Sequence, residues 1–274
     1  MLWSSCQTLE SVISQPEYLT NYQQLKEILG SMAPVAVAFS GGVDSSLLLK
    51  VAHDVLDDRC VAVTVDAPYH FRQELADAAN LAKQLGVKHR IIPFDPATIP
   101  GLMNNPDNRC YLCKKALLKL CLSSLVPDLW TLVDGSTLDD QTAHRPGRRA
   151  LHELGIRSPL AEAGLTKQQI RLLSKERGLP IWNKPAQSCL LTRFRHNHTV
   201  TEADLRRVEQ CEEKIKTLGF SVVRVRSREE CARIECKERE QAQAMLPELE
   251  AICRQTGFTT VEIDPAGYRS GSMD

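Results

Sequence analysis

Residues 35–50 read VAVAFSGGVDSSLLLK, and this stretch decides the fold. Val35 to Phe39 is a β-branched run, while from Asp44 to Leu56 apolar residues recur at intervals of three and four, so a strand is expected to run straight into a helix. The joint between them is Ser40, Gly41, Gly42, Val43, Asp44, Ser45 and Ser46. Glycines without Cβ atoms let backbone N–H groups close on an anion, the helix start adds unpaired N–H groups and its positive dipole end, and the serines add hydroxyl donors. Phosphate is the natural ligand for such a joint; a tight turn of small residues is the alternative. No GxxxxGK[ST] occurs and no GxGxxG follows the first strand, so this is neither a Walker loop nor a dinucleotide fingerprint.

Working outward, Cys60 to Val65, Lys88 to Ile92 and Thr131 to Asp134 also read as strands, with a helix from Arg72 to Leu85 stopped by Gly86. Strands alternating with helices predict an α/β fold with a parallel sheet. The turn-rich segment PFDPATIPGLMNNPDN (93–108) leads into CYLC and a helix reaching Leu122, and a loop of that length is often functional. A helix is expected over Lys167 to Arg177. The proline-bearing stretch 178–198 reads as a domain junction, which divides the chain into 1–185 and a smaller α/β domain at 186–274. In the latter, helices are expected over Thr201 to Leu218 and Lys237 to Thr256, with strands at Ser221 to Arg226, Ala232 to Cys236 and Thr259 to Ile263.

Bulk properties narrow the function. Of the 274 residues, 43% are hydrophobic and 25% charged, which excludes disorder as the default. Lys plus Arg equals Asp plus Glu at 34 each, so no overall field recruits nucleic acid or an anionic membrane, and a small-molecule substrate is favoured. The amino terminus lacks the pattern of a secretory signal and no segment is apolar for spanning length, which predicts a cytoplasmic protein. Ten cysteines, at 6, 60, 110, 113, 121, 189, 211, 231, 236 and 253, are then expected mostly as thiols. Cys110 and Cys113 form CYLC and Cys189 stands alone; with no second CxxC to close a zinc site, three thiolates better suit a [4Fe-4S] cluster with one open iron. The other seven read as small hydrophobes.

At SGGVDSS the chain resembles the PP-loop ATP pyrophosphatases, whose SGGxDS loop holds ATP. The resemblance implies ATP with Mg²⁺ and adenylation of an acceptor oxygen. It places Ala38, Phe39 and Ser40 beside the adenosine, the loop residues Gly41, Gly42, Asp44, Ser45 and Ser46 on the phosphates, and Asp66 near the nucleoside. Gly135 follows the fourth strand in VDGSTLDD, where Asp139 or Asp140 would help hold Mg²⁺ or else cap the next helix.

A longer ordered pattern is more specific: SGGVDSS, NRCYLCK, DGSTLDD, HRPGRRAL, SPLAEAGLTKQQIR, KPAQSCLLTR, RVRSREECARIE and GYRSGSMD. From about Leu25 onward the chain resembles the LarE family, ATP-dependent sulfur transferases of nickel-pincer nucleotide synthesis. The resemblance implies that the carboxylates of pyridinium-3,5-biscarboxylic acid mononucleotide are adenylated and converted to thiocarboxylates. Cys189 matches the sulfur-bearing cysteine, which in one branch gives up its own sulfur; in the other, three cysteines, here Cys110, Cys113 and Cys189, hold a [4Fe-4S] cluster. Arg193, Glu212, Arg224, Glu235 and Arg269 are implied as a polar site for the substrate phosphate, and a homo-oligomer is implied. Thr137 and Thr192 stand where relatives often have Asn and Ser. A tRNA thiolase and an acyl-adenylate amide ligase are the rival readings, the first opposed by the neutral charge and the second having no use for Cys189.

Overall fold

The computed structural model describes residues 15–125, 129–142 and 147–269. Cys6 and the ends of two quoted motifs, 144–146 and 270–274, lie outside them. The described chain forms two compact units, each with its own sheet: one takes residues up to 66, 72–94 and 110–186, the other 67–71, 95–109 and 187 onward.

In the first unit, β1 (Val35–Ala38), β2 (Cys60–Asp66), β3 (Lys88–Pro93) and β4 (Thr131–Val133) make a parallel sheet in the order β3-β2-β1-β4. Val35 pairs with Cys60 on one side and Thr131 on the other. β1 and β2 lie inside the sheet with both faces covered, which is why they read as nearly continuous apolar runs. Helices α1 (Gln15–Met32), α2 (Val43–Leu56) and α3 (Arg72–Gln84) contribute Leu25, Leu29, Leu48, Val51 and Leu81 to a core with Val35, Val37 and Ala62. The opposite faces of the strands, through Ala36, Val61, Val63 and Leu132, pack with Leu118 and Cys121 of α4 (Arg109–Ser124). Short helices α5 (Asp139–Thr142), α6 (Arg148–Glu153) and α7 (Pro159–Glu162) precede α8 (Lys167–Glu176), whose start is fixed by a reciprocal Thr166–Gln169 capping box. Gly86, at φ +72°, closes the end of α3 as the sequence predicts.

With β1 in the interior and its successors on both sides, the chain changes direction across the sheet between β1 and β4. Crevices outside the carboxyl ends of the strands at such a switch point receive ligands in open α/β sheets. The 40–46 loop leaves β1 there.

The second unit carries β5 (Val223–Arg228), β6 (Cys231–Cys236) and β7 (Thr260–Ile263), with β5 antiparallel and β7 parallel to the central β6. A Thr201–Asp204 capping box starts α9 (Glu202–Lys216). The single helix expected over 237–256 is two, α10 (Arg239–Ala244) and α11 (Leu246–Gln255). Pro247 has no N–H to give to a continuing helix, but suits the first turn of a new one, so the break falls at Met245. Among the described residues no helix is long and apolar enough to cross a membrane.

Candidate active site

The loop after β1 is built as the sequence predicts. Gly41 takes φ +71°, and a Cβ there would meet Ala78 Cβ of α3 at 2.8 Å, so only glycine fits. Gly42 caps α2 without a side-chain bond of its own. Ser45 Oγ donates to the Gly42 carbonyl (3.2 Å), accepts from Ser40 N–H (3.3 Å) and lies 3.1 Å from Ser40 Oγ. Ser46 is fully buried and its hydroxyl has no partner among the described residues. Ser40 is exposed, Ala38, Gly42 and Asp44 are half-buried, and Phe39 lies in the core with its carbonyl accepting from Thr64 Oγ1 at 2.6 Å.

A second loop presses on the first. A Cβ on Gly135 would lie 3.1 Å from both N and Cα of Ser45, so the backbone after β4 rests directly on the start of α2. Its neighbour Asp134 is buried and accepts from Ser136 N–H (3.1 Å), Ser136 Oγ (2.8 Å), Ser158 Oγ (2.6 Å) and Lys114 Nζ (2.9 Å). Lys114 follows Cys113 on α4. The Lys114–Asp134 pair therefore ties the CYLC helix to the loop that supports the phosphate loop, a link that sequence reading missed because nothing local in NRCYLCK signals its partner.

Asp140 Oδ2 accepts from Thr137 N–H (3.0 Å) and Thr137 Oγ1 (3.1 Å), and its other oxygen pairs with Lys167 Nζ at 2.9 Å. Asp139 accepts from Lys167 N–H at 2.6 Å. Both carboxylates thus hold the α5 turn and the start of α8, as a helix cap does. Asp66 ends β2 and pairs with Arg72 at 2.5 Å. Lys184 pairs with Glu74 (2.9 Å) and Asp77 (3.1 Å), and these two carboxylates outweigh the effect of its burial, so its pKa is raised.

In the second unit, Cys189 caps a short 3-10 turn, Leu190–Arg193, whose first N–H donates to the Tyr69 carbonyl at 2.9 Å. Two arginines clamp this turn. Arg193 is bound to Glu212 at both ends, Nε to Oε1 at 2.8 Å and Nη2 to Oε2 at 2.9 Å, while Nη1 donates to Ser188 Oγ (2.6 Å), the Ser188 carbonyl (3.1 Å) and Thr192 Oγ1 (2.9 Å). Burial works against the Arg193 charge, but the Glu212 carboxylate more than offsets it and the pKa is raised. Arg226 is likewise bidentate to Glu235 (2.9 and 2.8 Å) and donates to the Thr192 carbonyl. Glu212 Oε1 also accepts from Val225 N–H at 2.8 Å, which fixes α9 to β5.

Of the expected polar site, Glu212 and Glu235 are therefore counter-ions inside the fold. Arg224, two residues before Arg226 and so on the same face of β5, makes no ion pair among the described residues. Its Nη2 donates to Tyr268 Oη at 3.1 Å, and its guanidinium lies 4.7 Å from that ring centre. Burial first, and then the positive charges of Arg193 and Arg226, hold its pKa below the ordinary arginine value. Arg269 is exposed. Arg226 was missed by sequence reading, although the Arg-x-Arg spacing on a strand could have found it.

Among the described cysteines, 60, 121, 211, 236 and 253 are buried, Cys113, Cys189 and Cys231 are half-buried and Cys110 is exposed. Burial pushes the Cys60 thiol up to about 12 and Cys121 up to about 11, as expected of packing thiols. Cys110 and Cys113 belong to the first unit and Cys189 to the second. Among the described residues, no group of three His, Cys, Asp or Glu side chains is arranged to hold a metal ion. Arg109, directly before Cys110, is 2% exposed, and its Nε and Nη1 have no partner among the described residues. A buried cation with idle donors is costly unless an anion completes it.

This loop, switch point and cysteine placement can be compared with known proteins. The asparagine synthase family model matches residues 22–106, which span β1, the phosphate loop and β2. A pyridinium-3,5-bisthiocarboxylic acid mononucleotide synthase from Lactiplantibacillus plantarum is 33% identical over 260 residues, 93% of this chain and 94% of that protein. The chain belongs to the LarE family. An uncharacterized protein of Synechocystis is 38% identical over 257 residues, covering 92% of this chain and 96% of its own. Another, from Methanocaldococcus jannaschii, is 31% identical over 240 residues, covering 86% and 91%. For this LarE-family chain the likeness thus runs well past the PP-loop domain and through the turn that carries Cys189.

Proposed function

We propose that this LarE-family chain is a cytoplasmic ATP-dependent sulfurtransferase that converts the carboxylates of pyridinium-3,5-biscarboxylic acid mononucleotide to thiocarboxylates. The observation that carries this reading is the pair of loops at the sheet's switch point, where Gly41 must be glycine and Gly135 rests on Ser45. Backbone N–H groups at the start of α2 and the hydroxyls of Ser40 and Ser46 receive the ATP phosphates, whose charge Mg²⁺ would offset when bound. A substrate carboxylate oxygen attacks the α-phosphorus, the bond to the bridging oxygen breaks, and pyrophosphate leaves. The resulting acyl-adenylate carries AMP as a leaving group, which a sulfur nucleophile displaces.

The domain division follows the same chemistry, with 1–185 as the nucleotide domain and 186–274 as the substrate and sulfur-transfer domain. Arg224 is the cation for the substrate phosphate, since Arg193 and Arg226 already have carboxylates. Their clamp holds the backbone of the turn that carries Cys189. Arg109 offers two further N–H groups to an anion. The small-molecule nucleotide is the partner, and the assembly is a homo-oligomer, measurable by light scattering.

On one route the sulfur comes from Cys189 itself: its thiolate displaces AMP from the acyl-adenylate to form a thioester, and loss of the Cys189 Cα proton to a base with cleavage of the Cβ–S bond releases the thiocarboxylate and leaves dehydroalanine. A second reading is favoured by the accessibility of Cys110 and Cys113 beside buried Cys121 on the same helix: with Cys189 they would supply three thiolates to a [4Fe-4S] cluster, which when bound would present an extra sulfide. Anaerobic purification, iron and sulfide analysis, and mass spectrometry of Cys189 after turnover separate the two. Cys189 lighter by the elements of hydrogen sulfide, without iron, supports the sacrificial route. About four irons per chain with Cys189 intact supports the cluster. Neither, with no thiocarboxylate formed, overturns the proposal.

A further inference from the structure

Two buried thiols take no part in the chemistry above. Cys211 on α9 and Cys253 on α11 are both fully buried, and their Sγ atoms are 3.5 Å apart. This differs from Cys60 and Cys121, which are buried without a cysteine partner among the described residues and have thiols raised by burial alone or chiefly by burial. Either sulfur can donate its S–H to the other, and with Cys253 as donor the Cys211 thiolate is the one favoured. That bond stabilises the Cys211 thiolate, lowering the Cys211 pKa while raising that of Cys253. The pair therefore holds two sulfurs in hydrogen-bonding contact, with the Cys211 thiol the more readily ionised, the arrangement from which a disulfide forms.

We propose that Cys211 and Cys253 are an oxidative modification site, a dithiol that a small peroxide converts into a disulfide joining α9 to α11. The Cys211 thiolate attacks the peroxide, the O–O bond breaks, and Cys211 becomes a sulfenic acid as the departing hydroxide takes a proton to form water. The Cys253 sulfur then attacks the sulfenic sulfur, the S–O bond breaks, and the expelled hydroxide takes the Cys253 proton as a second water. Two thiols are oxidised by two electrons and one peroxide is reduced to two waters. A disulfide bond is about 2.05 Å long, so the sulfurs must close by about 1.5 Å. Both sit in the seam between packed helices, and the small size of peroxide is what admits it where a bulkier disulfide reagent is excluded. The crosslink spans 42 positions of chain and so constrains the unfolded state.

The full chain, with accessible thiols first alkylated under native conditions, is treated with hydrogen peroxide, unfolded in the presence of a second alkylating label, and mapped without reduction. The expected product is one crosslinked peptide pair carrying Cys211 and Cys253, lighter by two hydrogens than the two thiol peptides and separated by reductant. Cys60 and Cys121 take up the second label in full, and the urea midpoint shifts upward until reductant is added. Second-label uptake by Cys211 and Cys253 undiminished by peroxide would overturn the proposal, as would their separate conversion to sulfinic acids. Because the readout is made on the wild-type chain, no substitution in the core is needed.

Discussion

Arg193 and Glu212 meet through two parallel N–H to oxygen bonds with neither side chain exposed, and the remaining arm of Arg193 holds the Cys189 turn. A buried pair of this kind is worth most when one partner is lost, because the other is stranded as an uncompensated charge. Glu212→Gln is expected to cost about 3–5 kcal/mol of unfolding free energy. Replacing both residues with apolar ones of similar volume should cost much less. Urea denaturation of the single and double variants measures the difference; equal losses in both would contradict the account.

Gly41→Ala meets both a positive φ and an Ala78 Cβ at 2.8 Å. It is expected to destabilise the chain by about 1–3 kcal/mol and to weaken ATP binding with it. Gly42→Ala, where the nearest atom is Ser40 Oγ at 3.5 Å, should leave stability within about 1 kcal/mol of wild type. Thermal unfolding and nucleotide titration of the two variants check the contrast.

Arg109→Met removes a buried charge whose Nε and Nη1 have no partner among the described residues. Its expected effect on the unliganded protein is a gain of about 1–4 kcal/mol, with a loss of thiocarboxylate formation if the guanidinium serves an anionic ligand. Denaturation and turnover measured on the same sample read both. Lower stability would mean that the charge is satisfied.

His89 has its pKa lowered by burial. The single proton of Thr64 Oγ1 goes to the Phe39 carbonyl, so the His89 Nε2 that lies 2.7 Å from the same oxygen is a donor, and the neutral ring suffices. The unfolded chain binds a proton at about pH 6.5 that the fold resists. Stability attached to this group is present above about pH 6.5 and is lost as pH falls through the folded value. Urea midpoints taken across that range should fall less steeply for His89→Gln than for wild type; parallel profiles would contradict this.

The parallel sheet and phosphate loop were legible because β-branched runs, helical periodicity and SGGVDSS all point the same way. Other features were not. The break at Met245 hides in a stretch whose apolar spacing continues through it, and only Pro247 marks it. Segments 67–71 and 95–109 fold with the second unit through bonds such as Leu190 N–H to the Tyr69 carbonyl and Asn105 Nδ2 to three carbonyls between 191 and 195. Such partners are 86 or more positions apart for Asn105, and no local pattern announces them. The same holds for Lys114 with Asp134 and Arg193 with Glu212: the residue types were visible, but their pairing is a property of the fold.

The central claim is ATP-dependent activation of a pyridinium carboxylate followed by sulfur transfer. Pyrophosphate release and product mass are therefore best measured together, with ATP, Mg²⁺ and pyridinium-3,5-biscarboxylic acid mononucleotide, in wild type and Cys189→Ser. The account predicts pyrophosphate release that requires the dicarboxylate in both proteins, and a thiocarboxylate product in wild type alone. Thiocarboxylate formed equally by Cys189→Ser, or no pyrophosphate released in response to the dicarboxylate, would contradict it.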